Sequence, residues 1–146
     1  MQILAIDVGA RRIGLATGES ALGIAFAKEN MTLSSEGKPA EIFPQLLKFV
    51  RTEKIQKIIV GHPGALDRLE QEQVKRCRDF ADDLEDFLLK NNCAVEVEFI
   101  DETLSSVIAE RQLQSMGRST HEQKGEKDAL AAAAFLQGYF ERQKEF

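Results

Sequence analysis

The segment MQILAIDVGARRIGLATGES constrains the fold more than any other stretch of the chain. Ile3-Leu4-Ala5-Ile6 is apolar without alternation, which is the pattern of a strand covered on both faces. Asp7 ends that run. A carboxylate at such a place is costly unless it meets a cation, several hydrogen-bond donors or an exposed strand end. Val8-Gly9-Ala10-Arg11-Arg12 then reads as a tight turn, and Ile13-Gly14-Leu15-Ala16 as a second apolar strand. Asp7 is therefore expected at the mouth of a sheet, beside a hairpin.

The rest of the chain supplies alternating elements. A third strand is expected within Ala21 to Leu33, and Ser34 to Pro39 is a break. Ile42, Phe43, Leu46, Leu47, Phe49 and Val50 give one apolar helical face over Ala40 to Glu53, with Pro44 tolerable only in the first turn. Ile55 to Val60 reads as a fourth strand, closed by the turn residues Gly61-His62-Pro63-Gly64. Apolar residues from Leu66 to Leu88 recur at helical spacing up to Asn91-Asn92. Val95, Val97 and Phe99 alternate with Glu96 and Glu98, predicting a fifth strand to about Ile100. A helix is expected from Thr103 or Ser105 to near Gly117, then a polar loop from Arg118 to Lys127. A last, alanine-rich helix is expected to begin near Asp128. Three leading strands predict an antiparallel meander, and strands separated by helices predict parallel additions. The fold class is α/β: a mixed five-stranded sheet flanked by helices.

With 146 residues the chain suits one domain, residues 1–146, and there is no internal repeat. The formal charge is −5, from 19 Lys and Arg against 24 Asp and Glu. That excludes indiscriminate electrostatic binding to nucleic acid or anionic membranes, while leaving room for a local basic patch. Cys77 and Cys93 belong to no CxxC pair and read as thiols of a reducing compartment. No stretch reaches the roughly 20 apolar residues of a membrane span. A cytoplasmic protein that does not enter the membrane is expected.

Three carboxylates fall at element ends: Asp7 on strand one, the pair Asp101-Glu102 on strand five, and Asp128 at the start of the last helix. Convergent oxygen ligands of this kind suit Mg²⁺ or Mn²⁺, which take hard donors and keep waters or phosphate oxygens. Such ions activate water and stabilise the departing oxygen in phosphodiester hydrolysis. Each acid also has a plain structural reading, as a turn former or a complement to a helix dipole.

The stretches AIDVGARRIGLA, IIVGHP, VEFIDETLSS and KDALAAAAFLQGYF occur in the order and spacing of one family. Together they resemble the YqgF-type family of RNase H-like nucleases, related in fold to RuvC-type Holliday junction resolvases. The resemblance covers nearly the whole chain. It implies an RNase H-like sheet and metal-binding catalytic acids at Asp7, Glu102 and Asp128. It also implies processing of the 5′ end of pre-16S ribosomal RNA in ribosome biogenesis or, alternatively, Holliday junction resolution. The partner would be pre-rRNA or branched DNA, and a resolvase would be a homodimer.

On this reading Gly9 lets backbone pass close to a phosphate. Arg12, His62 and Lys127 are substrate-binding candidates. The acid that the family carries near the end of strand two is matched at best by Glu19. The loop STHEQKGEKD interleaves Lys124 and Lys127 with Glu122 and Glu126. Two other classes fit parts of the pattern. Sugar kinases and actin-like ATPases share the fold and an Asp-x-Gly phosphate loop, but they need a duplicated domain. A non-catalytic module docking on nucleic acid or a ribosome precursor would keep the acids as structure.

Overall fold

In a computed structural model, the structure describes residues 1–9, 12–32, 39–63, 69–102 and 124–144. Five strands form one sheet: β1 (Gln2–Val8), β2 (Arg12–Glu19), β3 (Ile24–Thr32), β4 (Lys57–Pro63) and β5 (Glu96–Glu102). Their order across the sheet is β3-β2-β1-β4-β5. β1 pairs antiparallel with β2, and β2 with β3, while β4 is parallel to both β1 and β5. The expected meander with two parallel additions is the one observed. β1 is central because its apolar residues have cover on both sides: Leu4 and Ile6 face one layer, Ile3 and Ala5 the other.

The first layer holds α1 (Phe43–Thr52), entered through a 3-10 turn at Pro39–Ile42, and α2 (Leu69–Lys90). Pro44 sits at the α1 start, where a missing N–H costs nothing. Leu46 and Val50 of α1 and Phe80, Leu84 and Leu88 of α2 pack against Leu4, Ile6, Leu15, Ile58 and Val60. Phe43 meets the Phe80 ring edge-on at 5.5 Å between centroids, an attractive quadrupolar arrangement. α2 stops where Asn92 adopts a left-handed φ of 60°, which asparagine tolerates. The second layer is a single helix, α3 (Lys124–Lys144), whose Ala132, Phe135, Leu136 and Phe140 pack on Ile3, Ala5, Ala16 and Ile59.

Several boundaries differ from the sequence expectation. Gly61-His62-Pro63, expected as a turn, continues β4. Gly61 has a partner on each side, Asp7 and Ile100, and this pairing overrides local turn chemistry. Pro63 is tolerated because at its level β4 pairs with Glu102 of β5 while the β1 register has already ended. α3 begins at Lys124, so the expected loop up to Lys127 is helical in its last four residues and Asp128 is the fifth helical residue. Lys and Glu are good helix formers, and polarity alone did not make this a loop. β5 runs on to Glu102, carrying Asp101 within the strand. The helix expected between Thr103 and Gly117 lies outside the described residues. Among the described residues no helix is long and apolar enough to cross a membrane, and both cysteines are free thiols.

Leu84 is fully enclosed at 0% exposure. Leu84→Ala should lower the unfolding free energy by about 2–5 kcal/mol, as expected for a truncated core leucine. Urea denaturation should show an earlier midpoint with an unchanged slope.

Candidate active site

Asp7 lies one residue from the end of the central strand and is only 6% exposed, sharing with Thr17 the distinction of being a buried polar side chain among the described residues. Its Oδ1 atom is fully enclosed. Alternation along β1 places Asp7 on the face of Ile3 and Ala5, beneath α3. Its register partners are both glycine, Gly14 on β2 and Gly61 on β4. The carboxylate is thus flanked across the sheet by bare backbone on each side. A Cβ built on Gly61 would come within 2.4 Å of the Phe135 ring of α3.

The backbone brings the other acids to the same end. Gly61 pairs with Ile100 of β5, and Glu102 lies two residues further on, opposite Pro63. Glu102 therefore shares the alternation of Ile100, which packs on the α3 side of the sheet. Asp101 pairs with His62 and shares the alternation of Val97 and Phe99, which pack against the α1 and α2 layer. Register alone separates Asp101 and His62 from Asp7 and groups Glu102 with it. α3 runs opposite to β4: the Tyr139 ring lies 5.5 Å from Lys57 Nζ near the strand's start, and Phe135 stands over Gly61 near its end. Asp128 is seven residues before Phe135, about 10.5 Å further along the axis toward the Asp7 end. Its helical position is spaced four and seven residues from Ala132 and Phe135, which pack on the sheet.

Gly9 directly follows β1, and Arg12 opens β2 two residues before Gly14. Lys127 immediately precedes Asp128 in α3. Glu19 is at the wrong end for the site: it pairs with Gln2 at the start of β1. Its carboxylate accepts a hydrogen bond from the Met1 ammonium and another from Ala21 N at 3.4 Å. The ammonium, chiefly, holds the Glu19 carboxyl below the usual carboxylate range. Among the residues whose side chains are described, no three His, Cys, Asp or Glu gather into a metal site. Glu102 and Asp128 are grouped with Asp7 by backbone position. The donor chemistry, carboxylate oxygen alone, is consistent with a hard divalent cation.

Residues 1–142 match the family described as "RuvX: Holliday junction resolvase". The chain belongs to the RuvX family. One relative, "Putative pre-16S rRNA nuclease" of Anaeromyxobacter sp. (strain K), is 37% identical over 142 residues, covering 97% of this chain and 98% of that protein. A relative of the same name from Chloroflexus aurantiacus is 32% identical over 142 residues, covering 97% and 88%. Among solved structures, Thermus thermophilus RuvC in complex with a Holliday junction substrate superposes with a TM-score of 0.57 at 16% identity, covering 99% of this chain and 96% of that one. The yeast mitochondrial Holliday junction resolvase Ydc2 gives a TM-score of 0.58 at 11% identity, covering 98% and 79%. The shared fold is RNase H-like, as the motifs implied. Membership places this chain in a family of nucleases, hydrolases acting on nucleic acid.

The glycine flank of Asp7 and the Phe135 ring were not among the sequence candidates. Nor was a charged cluster at the far end of the sheet, where Lys57 Nζ meets Glu98 at 2.8 Å and Glu96 at 3.9 Å. Burial pulls the Lys57 ammonium down, but hydrogen bonds to Glu98 and Tyr139 outweigh it and hold Lys57 above the ordinary lysine value of 10.5. A raised folded-state value means that the stabilisation is complete below the unfolded value and declines as pH climbs beyond it. Lys57→Met should therefore unfold at lower temperature than the wild type at pH 8. The gap in melting temperature should narrow progressively above about pH 10.5.

Proposed function

We propose that this chain is a metal-dependent nuclease that processes the 5′ end of pre-16S ribosomal RNA in the cytoplasm, with Asp7, Glu102 and Asp128 as ligands of Mg²⁺ or Mn²⁺. The observation that carries this reading is the placement of Asp7, buried between two glycines at the sheet end where β5 reaches Glu102, the end toward which the start of α3 lies. The name borne by the relatives supports the RNA substrate. A bound ion would supply Lewis acidity and lower the pKa of a water for attack on phosphorus.

The protein's own part is positioning. Asp7 is fixed by a central strand with pairing on both sides, so its carboxylate is held where it is needed before substrate arrives. Gly9, beyond the strand end, lets the phosphate backbone approach without a Cβ in the way. Arg12 and Lys127 supply positive charge beside the acids, in a chain whose overall charge of −5 offers no general attraction to nucleic acid. His62 lies at a register position of the opposite alternation, which favours contact with substrate outside the metal cluster over a role within it.

A second reading, Holliday junction resolution, is favoured by the family's description and by the fold shared with RuvC. It requires a dimer, because two symmetric cuts need two sites.

Wild type and Asp7→Asn would be incubated with Mn²⁺ on a labelled ribosomal RNA leader and on a four-way DNA junction. The expected result is cleavage of the RNA, abolished by chelator. The near-isosteric variant should be slower by about 100-fold or more, the loss of several kcal/mol of transition-state stabilisation. Paired symmetric cuts in the junction alone would establish the resolvase instead. Binding without cleavage of either substrate would overturn the nuclease reading for both.

A further inference from the structure

α3 is seated on the sheet by aromatic rings pressed onto bare backbone. A Cβ on Gly61 would stand 2.4, 2.6 and 2.9 Å from Cζ, Cε2 and Cε1 of Phe135, and these are its three nearest neighbours. Carbon atoms normally approach to about 3.5–4.0 Å. The ring therefore occupies the volume that any other residue at position 61 would claim. At the opposite end, a Cβ on Gly18 would come within 2.7 Å of Phe140 and 2.6 Å of the Ile24 carbonyl oxygen.

The two contacts differ in what surrounds them. Around Phe140 the helix is tied down several times over. Gln137 accepts a hydrogen bond from Ala25 N at 3.1 Å and donates one to the Gly23 carbonyl at 2.9 Å. Tyr139 lies against the Lys57 ammonium. Of the two described ring-on-glycine contacts, Phe135 over Gly61 is the one nearer Asp128, two helical turns away. A helix held in its C-terminal half and lifted at Phe135 tilts, and the displacement grows toward Asp128. Gly61 is also the register partner of Asp7, so the same contact fixes the height of the helix directly beside that carboxylate.

We infer that Gly61 and Phe135 are a positioning pair that sets the gap between Asp7 and the first turns of α3, and thereby the affinity of the site for its cation. Neither residue carries a donor atom in its side chain, so the pair acts through Asp7 and Asp128 and not on the ion. The ring has no vacant space to swing into, since Phe135 is 2% exposed and its neighbours Ala132 and Leu136 are both at 0%. A methyl at position 61 must therefore move the helix. A smaller side chain at position 135 leaves the helix free to settle or rock. The two changes together restore the fit, the methyl filling the space that the ring gives up.

The inference rests on the metal reading above and is tested by Mn²⁺ binding, read from the free-ion electron paramagnetic resonance signal without any substrate. Wild type should bind, and Asp7→Asn should not. Gly61→Ala and Phe135→Leu should each weaken half-saturation by about tenfold or more, in the range seen when groups outside the ligand set are altered. Gly61→Ala/Phe135→Leu should return to within about threefold of wild type. Gly18→Ala, which disturbs the other end of the helix, should lower thermal stability and leave Mn²⁺ half-saturation within about twofold. A merely structural role for the pair would lower melting temperatures while leaving the Mn²⁺ midpoint where it was, and that result overturns the inference. Should Gly61→Ala not fold, the comparison of Phe135→Leu with the double variant decides alone: a double variant that binds no more tightly overturns it. Failure of the wild type to bind Mn²⁺, or undiminished binding by Asp7→Asn, overturns the metal site itself, and the inference with it.

Discussion

A helix can lie close on a sheet only where the face beneath it offers few bulky side chains. The α3 face of this sheet meets that condition along Gly14, Ala16 and Gly18 of β2, Ala5 of β1 and Gly61 of β4. The helix answers with Ala131 to Ala134, all buried. The opposite face is built from Leu, Ile and Phe and carries two helices. This asymmetry governs everything near Asp7. A carboxylate under a thick aliphatic layer would face only hydrocarbon. Under a thin one it sits at the rim, enclosed on one side and near the surface on the other. The glycines therefore serve packing and chemistry together, and neither use explains them alone.

The two ends of the sheet treat their acids differently. At the start of β1 and β4 each carboxylate is matched locally: Glu19 by the Met1 ammonium, Glu98 by Lys57. At the other end the backbone positions of Glu102 and of the start of α3 fall at the Asp7 end of the sheet. Like charges brought together raise each other's energy unless a cation joins them. A chain with 24 acids has many of them in solvent at no cost. Their shared backbone position at one end of the sheet is what sets these three apart, and Gly9 follows β1 at that same end.

Much of this was legible in the sequence, because Asp7 breaks an unalternating apolar run and such a break has few inexpensive explanations. The three leading strands and the two later ones were likewise announced by turn residues and apolar patterning. What stayed hidden was set by partners distant in the chain. Gly61-His62-Pro63 has the composition of a turn, and only pairing to β1 and β5 makes it strand. The polarity of Lys124 to Lys127 suggested a loop, although those residue types are at home in a helix. The choice between Asp101 and Glu102 could not be made by spacing, since it depends on which alternation faces α3. Glu19 is only the best match to an acid that the family carries near the end of strand two, and the antiparallel register sets it opposite Gln2, at the far end from Asp7. Phe135 read as ordinary core, and nothing in its neighbours named the glycine that it covers.

The order of elements along the chain has a consequence for how the molecule comes into being. Asp7 and Asp128 are separated by 121 positions (128 − 7), and the helix covering β1 is the last of the described elements. At the usual pace of synthesis, about 5–20 residues per second, roughly 6–24 s pass between the emergence of one and the other. Until then α3 cannot cover Ile3, Ala5, Ala16 and Ile59, so that layer of the core cannot be completed. Docking of α3 completes that hydrophobic layer and, in the same step, carries the backbone of Asp128 to the Asp7 side of the sheet.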